Sequence, residues 1–380
     1  MSSSIHPTDT VDTALLIESE NGSERGMIGE MKNPDFMFIT IIARIFIALI
    51  KRFWAFSGAA LLSILLFYWL YGGVLAFLLV CFGLSGVLYK AGDRLLYHPE
   101  QPPHSRVFIP TPALFNMPFE NLFIKARDGT QLHMFLIKQA EGTYHTVPTL
   151  LFLHGNAGNI GHRLVNVQGL YQNVGCNIAM LEYRGYGRSD GTPSEEGMYM
   201  DAQAGLDYLH TRADLSRDKI IVFGRSLGGA VAVDLASRSQ NKERIGAVLL
   251  ENTFTSIPDI ARIIFPFKII KFIPVWFYKN QFKSGKKICR LTQPTLFISG
   301  LADKLIPPKM MTSLYSGCGA PIKRLARFPD GNHNETWSCS QYYQTINYFL
   351  DEAVYLHSEP GRKRTDSPTS LVAASNIHNV

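Results

Sequence analysis

Between Phe53 and Tyr89 the chain carries no charged residue. That run exceeds the roughly 20 apolar residues a membrane-spanning helix needs. A helix that is apolar on every face has no stable place in water. The run therefore divides the sequence into parts that obey different rules. Residues 1–35 are polar, acidic and without apolar periodicity, the composition of a disordered tail. Residues 36–90 form the apolar anchor segment, interrupted by Arg44 and by Lys51-Arg52. It starts too far from the N-terminus, and is too long, for a cleaved signal peptide.

One tilted transmembrane helix is the simplest reading of this segment. Lys32, Arg44, Lys51 and Arg52 before the run outnumber Lys90 and Arg94 after it. Positive charge then holds the N-terminus in the cytosol and puts the C-terminal domain in the lumen or outside the cell, a single-pass type II arrangement with an uncleaved signal-anchor. A second topology stays open. In Trp69-Leu70-Tyr71-Gly72-Gly73, interfacial aromatics precede two glycines that turn a hairpin and return the chain to the cytosol. The net charge of +6 lies beside the anchor, in a later insert and in the C-terminal tail, which suits a lipid bilayer as partner and not nucleic acid. Five scattered cysteines with no C-x-x-C spacing exclude a disulfide scaffold.

From 108 to 357 the pattern is that of a folded domain. Residues 122–126 and Gln131–Ile137 flank Asp128-Gly129, a strong hairpin signal. Short apolar runs of buried-strand type occur at 148–153, 177–183, 219–223, 245–251, 294–299 and 323–328, separated by segments of helical length. This alternation predicts an α/β fold with a mostly parallel sheet covered on both faces. It breaks once, at about 255–285, where apolar and basic residues mix and predict a small cap. Residues 358–380, with Pro, Ser, Thr and Gly-Arg-Lys-Arg, read as a solvated, disordered tail.

The strand at 219–223 runs directly into Gly224-Arg225-Ser226-Leu227-Gly228 and then a helix-like stretch. This is G-x-S-x-G in the strand-turn-helix context that lifts a serine hydroxyl out of a sheet. Ser226 needs a base, and in this architecture the acid and then the histidine come after it along the chain. Asp303 stands just past the strand at 294–299, and His333 just past the strand at 323–328, so parallel strands bring all three to one sheet edge. Glu251 also ends a strand and is the competing acid; Asp330 is assigned to a turn with Gly331. An oxyanion hole is expected from the backbone amides of Asn156, in His154-Gly155-Asn156-Ala157-Gly158-Asn159, and of Leu227. The Ala157 amide is the alternative to that of Asn156. His154 is read as a structural hydrogen-bonder, and His98, His104, His162 and His210 as surface residues. No metal or cofactor fingerprint is present, and the glycine-rich loops lack the G-K-[ST] ending of a phosphate cradle.

Four strings resemble the membrane-anchored α/β-hydrolase domain-containing protein 13 subfamily of the α/β-hydrolase superfamily. They are Leu153-His154-Gly155-Asn156-Ala157-Gly158-Asn159-Ile160-Gly161-His162-Arg163, Tyr183-Arg184-Gly185-Tyr186-Gly187-Arg188-Ser189, Phe223-Gly224-Arg225-Ser226-Leu227-Gly228-Gly229-Ala230 and Phe328-Pro329-Asp330-Gly331-Asn332-His333-Asn334. The resemblance runs from roughly residue 71 to 356. It implies an α/β-hydrolase fold with an eight-stranded sheet, a Ser226–Asp303–His333 triad and a single-pass anchor. Relatives in the superfamily include protein S-depalmitoylases and lipid esterases. This chain departs from the cytosolic depalmitoylases in carrying a hydrophobic N-terminus in place of a cysteine cluster.

Three functions compete on this reading. The first is a membrane-anchored serine hydrolase, an esterase or thioesterase acting on an acylated lipid or S-acylated protein. The second is a peptidase or amidase using the same triad, and the third a non-catalytic membrane-tethered binding or scaffold protein. An acyltransferase of the H-x-x-x-x-D type is disfavoured, because Asn159 stands where that motif has aspartate. The cap is rich in Ile, Phe and Trp from Ile260 to Tyr278, punctuated by Lys268, Lys271, Lys279 and Lys283. It fits an acyl-chain pocket with lysines toward headgroups, or an ordinary helical cap packed on the sheet edge. Asn334-Glu335-Thr336 and Asn21-Gly22-Ser23 are glycosylation sequons, Asn334 being crowded by its place beside His333.

Overall fold

The computed structural model describes residues 34–265, 273–355 and 377–378. The expected tails at 1–35 and 358–380 thus fall almost wholly outside the described residues, as do the Asn21 sequon and the cap residues Phe267, Lys268, Ile269, Ile270, Lys271 and Phe272. The chain divides into two units, one up to Ser85 and one from Gly86 onward.

In the first unit the apolar segment departs from the single helix expected. It forms α1 (Pro34–Arg52), α2 (Trp54–Tyr71) and the start of α3 (Gly73–Leu96). The break at Phe53 comes after the charged pair Lys51-Arg52. The second break sits at Gly72, whose φ of 86° is a backbone state that glycine adopts without strain. Among the described residues no single helix is long and apolar enough to cross a membrane. Ile41–Arg52 and Phe56–Tyr71 meet that test together, as a pair bent by 84°. Trp54, Phe56, Leu62 and Trp69 are each largely exposed, so apolar surface faces outward all round α2.

The second unit is built on one sheet. Its strands are β1 (Phe119–Lys125), β2 (Gln131–Ile137), β3 (Thr149–Leu153), β4 (Asn177–Leu181), β5 (Ile220–Arg225), β6 (Ala247–Glu251), β7 (Thr295–Gly300) and β8 (Lys323–Phe328). A two-residue strand, β9 (Ile377–His378), pairs with the outer side of β8. The order is β1-β2-β4-β3-β5-β6-β7-β8-β9. All neighbours from β4 through β8 run parallel, while β1/β2, β2/β4 and β8/β9 are antiparallel. The Asp128-Gly129 hairpin forms as the sequence predicts, in the register Lys125↔Gln131, with Gly129 at φ 86°.

Every residue of β3, β4, β5 and β6 is buried, because helices cover both faces. Such strands are apolar throughout, without alternation. On one face α5 (Glu195–Thr211), α6 (Leu227–Ser237) and α8 (Pro308–Gly317) pack Leu206, Val231 and Met311 over Leu151, Val222 and Leu250. On the other, α4 (Leu164–Asn173) and α9 (Tyr342–Leu350) pack Val167, Leu170 and Ile346 over Phe152, Phe223 and Leu249. The insert after β6 carries α7 (Ile257–Ile264), a short 3₁₀ turn (Val275–Phe277) and the fully buried Phe282.

Candidate active site

The parallel strands β5, β7 and β8 end at the same edge of the sheet, and each delivers one side chain there. At the end of β5 the chain turns abruptly into α6, and Ser226 takes φ 54° and ψ −119°. Two close approaches allow that turn. A side chain at Gly224 would meet the Gly228 carbonyl at 2.3 Å, and one at Gly228 would meet the Leu153 carbonyl at 2.0 Å. The Ser226 amide donates to the Glu251 carbonyl at 2.9 Å, and Thr253 Oγ1 donates to the Ser226 carbonyl at 2.7 Å. The serine is thus held in a conformation that an unconstrained residue avoids.

Ser226 Oγ lies 3.1 Å from His333 Nε2, and His333 Nδ1 lies 2.7 Å from Asp303 Oδ2. An ionised carboxylate only accepts, so Nδ1 donates its proton to Asp303 and the Nε2 lone pair faces the hydroxyl. Asp303 is 6% exposed. Its second oxygen, Oδ1, accepts the amides of Leu305 and Ile306, both at 2.8 Å. That division leaves one carboxylate oxygen for the imidazole and fixes the other. The three residues singled out in the sequence are brought together.

Leu227 opens α6, where the first backbone N–H groups of a helix have no partner within the helix. Gly155 lies opposite, and a Cβ built on it would stand 3.6 Å from that of Ser226. Among the described residues none of the Asn156, Ala157 and Leu227 amides donates to a backbone acceptor.

The competing acid Glu251 faces elsewhere. Its carboxylate is fully buried, accepts from the Tyr342 hydroxyl and sits 3.6 Å from Arg225 Nε. Burial pushes its pKa up, against the opposing pull of Arg225. Asp330 is exposed, in the turn where the Gly331 amide donates to Phe328. His154 is fully buried, with Nδ1 2.7 Å from the Gly155 carbonyl and Nε2 3.1 Å from Glu182 Oε1. His104 is exposed, and His210 Nε2 lies 3.0 Å from the Arg244 carbonyl. The ring of His162 is not a bystander: its Nδ1 accepts the Asn159 amide at 3.2 Å and closes a capping box.

Two residues that sequence reasoning missed tie these strand ends together. Arg225 Nη2 donates to the His333 carbonyl and to Asn334 Oδ1, both at 3.0 Å. Asn252, at φ 44°, accepts the Gly300 amide at 2.8 Å and donates to Thr336 Oγ1 at 2.9 Å. Asn252 thereby joins the acid-bearing loop to the histidine-bearing one. A charged residue inside an otherwise apolar elbow was the available signal for Arg225; nothing local marks Asn252.

A family model described as "alpha/beta hydrolase fold" matches residues 148–280. Protein bem46 of Schizosaccharomyces pombe is 40% identical over 70% of this chain and 88% of its own length. The α/β-hydrolase domain-containing protein WAV2 of Arabidopsis thaliana is 39% identical over 68% and 87%. A protein of Saccharomyces cerevisiae named "uncharacterized membrane protein YNL320W" is 35% identical over 71% and 92%. Among solved structures, the Pyrococcus furiosus esterase Pf2001 shares the fold, with a TM-score of 0.54 at 20% identity over 68% of this chain and 98% of its own. The chain belongs to the α/β-hydrolase superfamily, in the branch of the α/β-hydrolase domain-containing protein 13 subfamily.

Proposed function

We propose that this chain is a membrane-anchored serine hydrolase that cleaves a fatty acyl ester or thioester, on a lipid or an S-acylated protein. The observation that carries the reading is the unbroken line from Asp303 through His333 to Ser226, set on a strained turn. In the first half-reaction Ser226 Oγ attacks the acyl carbonyl carbon as its proton passes to His333 Nε2. The carbonyl π electrons move onto oxygen, where the Asn156 and Leu227 amides donate to the oxyanion. Collapse re-forms the carbonyl, breaks the bond to the leaving alcohol or thiol, and hands it the proton from His333. Water then repeats the sequence on the acyl-enzyme and releases the acid. Asp303 orients the imidazole and stabilises its charged form.

The acyl preference is supported by the cap. Ile263 and Trp276 are exposed apolar residues on it, and Ile257 and Ile260 pack toward the core. Membrane anchoring is supported by the outward apolar surface of α2, the bent helix pair and the relative named a membrane protein. Large exposed apolar surface of that kind marks a lipid or protein partner. The type II orientation, with the hydrolase domain lumenal or extracellular, belongs to the same proposal. Protease protection reads it better than a glycan shift. The Asn334 oxygen accepts from Arg225, and a glycan on its nitrogen would stand beside His333.

The test uses the full chain in membranes. A fluorophosphonate probe labels the wild type and not Ser226→Ala, and a matched panel shows turnover of long-chain esters or thioesters above that of aminoacyl amides. Labelling that survives Ser226→Ala overturns the assignment of the nucleophile. Preferential turnover of amides overturns the substrate class.

A further inference from the structure

The turn by which the chain leaves α3 is bonded directly to the oxyanion loop. The His98 amide donates to the Asn156 carbonyl at 2.9 Å, and the Gly158 amide donates to the His98 carbonyl at 3.3 Å. Asn156 Nδ2 donates to the Leu96 carbonyl at 2.9 Å. The Tyr186 hydroxyl donates to the Asn156 carbonyl from another side, at 2.9 Å. Asn156 is therefore gripped through both its carbonyl and its side chain. Most of that grip comes from residues 96–98.

The same turn is clamped from the cap. Asn280 Nδ2 donates to Asp93 Oδ1 at 2.6 Å, across 187 residues of sequence, and Lys279 pairs with Asp93 Oδ2. The Tyr97 hydroxyl donates to Asn280 Oδ1 at 3.0 Å, and the Glu195 amide donates to that oxygen at 3.1 Å. Tyr97 is 5% and Asn280 6% exposed, so these bonds form with little competition from water. Burial also pushes the Tyr97 phenol far up, so it remains a donor throughout the working range. The Tyr97 amide donates to the Asp93 carbonyl at 2.8 Å, which makes 93–97 one closed turn.

We propose that Asp93, Tyr97 and Asn280 are positioning residues for the oxyanion hole. They fix the 93–98 turn, and that turn sets the place of the Asn156 amide relative to Ser226. The inference rests on the hydrolase reading above and extends it: the exit of the helix that begins in the apolar segment is part of the catalytic frame, not a tether. The clamp touches no reacting atom, so its loss raises the transition state and leaves ground-state substrate binding alone. A displacement of about 1 Å far from the chemistry costs on the order of 100-fold in rate.

The experiment compares wild type, Asn280→Ala, Tyr97→Phe and the exchange Asp93→Asn/Asn280→Asp in the full-length membrane protein. Each is assayed for kcat and KM on a p-nitrophenyl ester, for the affinity of a boronic acid that mimics the tetrahedral adduct, and for thermal midpoint. Asn280→Ala is expected to lose about 10- to 100-fold in kcat with KM within about twofold. Boronate affinity falls in parallel, and the exchange, which keeps one donor facing one carboxylate, recovers part of both. Tyr97→Phe removes a single hydroxyl and keeps the proposal testable should Asn280→Ala fail to fold. Wild-type kcat and boronate affinity in both variants overturn the clamp while leaving the hydrolase reading intact. A lowered thermal midpoint with unchanged kcat and boronate affinity also overturns it, reducing the contacts to packing. A wild type that is neither labelled by fluorophosphonate nor inhibited by boronate overturns the hydrolase reading and this role with it.

Discussion

His333 with Asp303 and His154 with Glu182 are two histidine–carboxylate pairs near the same edge of one sheet, and only one of them faces a serine hydroxyl. The first pair is closed at 2.7 Å, and its histidine side chain keeps 14% of its surface open. Its far nitrogen meets the Ser226 hydroxyl. The second pair stands at 3.1 Å with both side chains fully buried. Its other nitrogen is committed to the Gly155 carbonyl, and the Tyr183 and Tyr186 rings close around it. On the proposed function, the same two functional groups serve chemistry in one place and loop architecture in the other. What separates them is access and a nucleophile, not residue type.

The comparison breaks most sharply under one substitution made twice. Asp303→Asn leaves the site's shape but presents a donor where His333 Nδ1 needs an acceptor. Ester turnover is expected to fall on the order of 10,000-fold, with stability little changed. A third histidine gives the next largest effect. His133 is fully buried in β2 beside Asn121, and burial pulls its pKa down to about 4. Between pH 6.5 and 4 the unfolded chain therefore binds a proton that the folded one refuses, so stability rises with pH across that window and is complete above it. Denaturant titrations should show a loss of up to roughly 3 kcal/mol on going down through the window. That slope should be absent in His133→Gln.

Glu182→Gln is the mirror of the first change. It is expected to lower stability by roughly 1–3 kcal/mol, since a buried polar contact is disturbed. Fluorophosphonate labelling per folded molecule should stay within about twofold of wild type. A collapse of labelling would show that the buried pair positions the 154–160 loop beside the serine. The smallest effect sharpens the role of Arg225. Arg225→Lys keeps a charge beside Glu251 but loses the guanidinium Nη2 that reaches both the His333 carbonyl and Asn334. A fall in kcat of about tenfold with unchanged KM is expected from the loosened histidine loop.

The strands were legible because burial on both faces leaves continuous apolar runs between turn residues, and β3 through β8 lie within a few residues of where those runs predict them. Ser226, Asp303 and His333 were legible for a related reason: each comes just after such a run, and parallel strands must end together. The connections that lock the site were not. Asp93 and Asn280 meet across 187 residues, and nothing local in either sequence announces the other. Asn252 reads as one more loop asparagine until its amide is seen joining Gly300 to Thr336. The break at Gly72 was visible only as the weaker of two topologies, because composition gives hydrophobic length and not backbone angle.

Ser226 also sets the fold and the chemistry at odds. Its φ of 54° with ψ −119° lies where a residue with a side chain pays on the order of 1–3 kcal/mol. Glycine would adopt the same turn freely, and the packing around Gly224 and Gly228 would be undisturbed. A chain optimised for durability alone would therefore discard the hydroxyl at this corner. On the proposed function, the protein gives up stability at Ser226 because there a reactive oxygen matters more than a relaxed backbone.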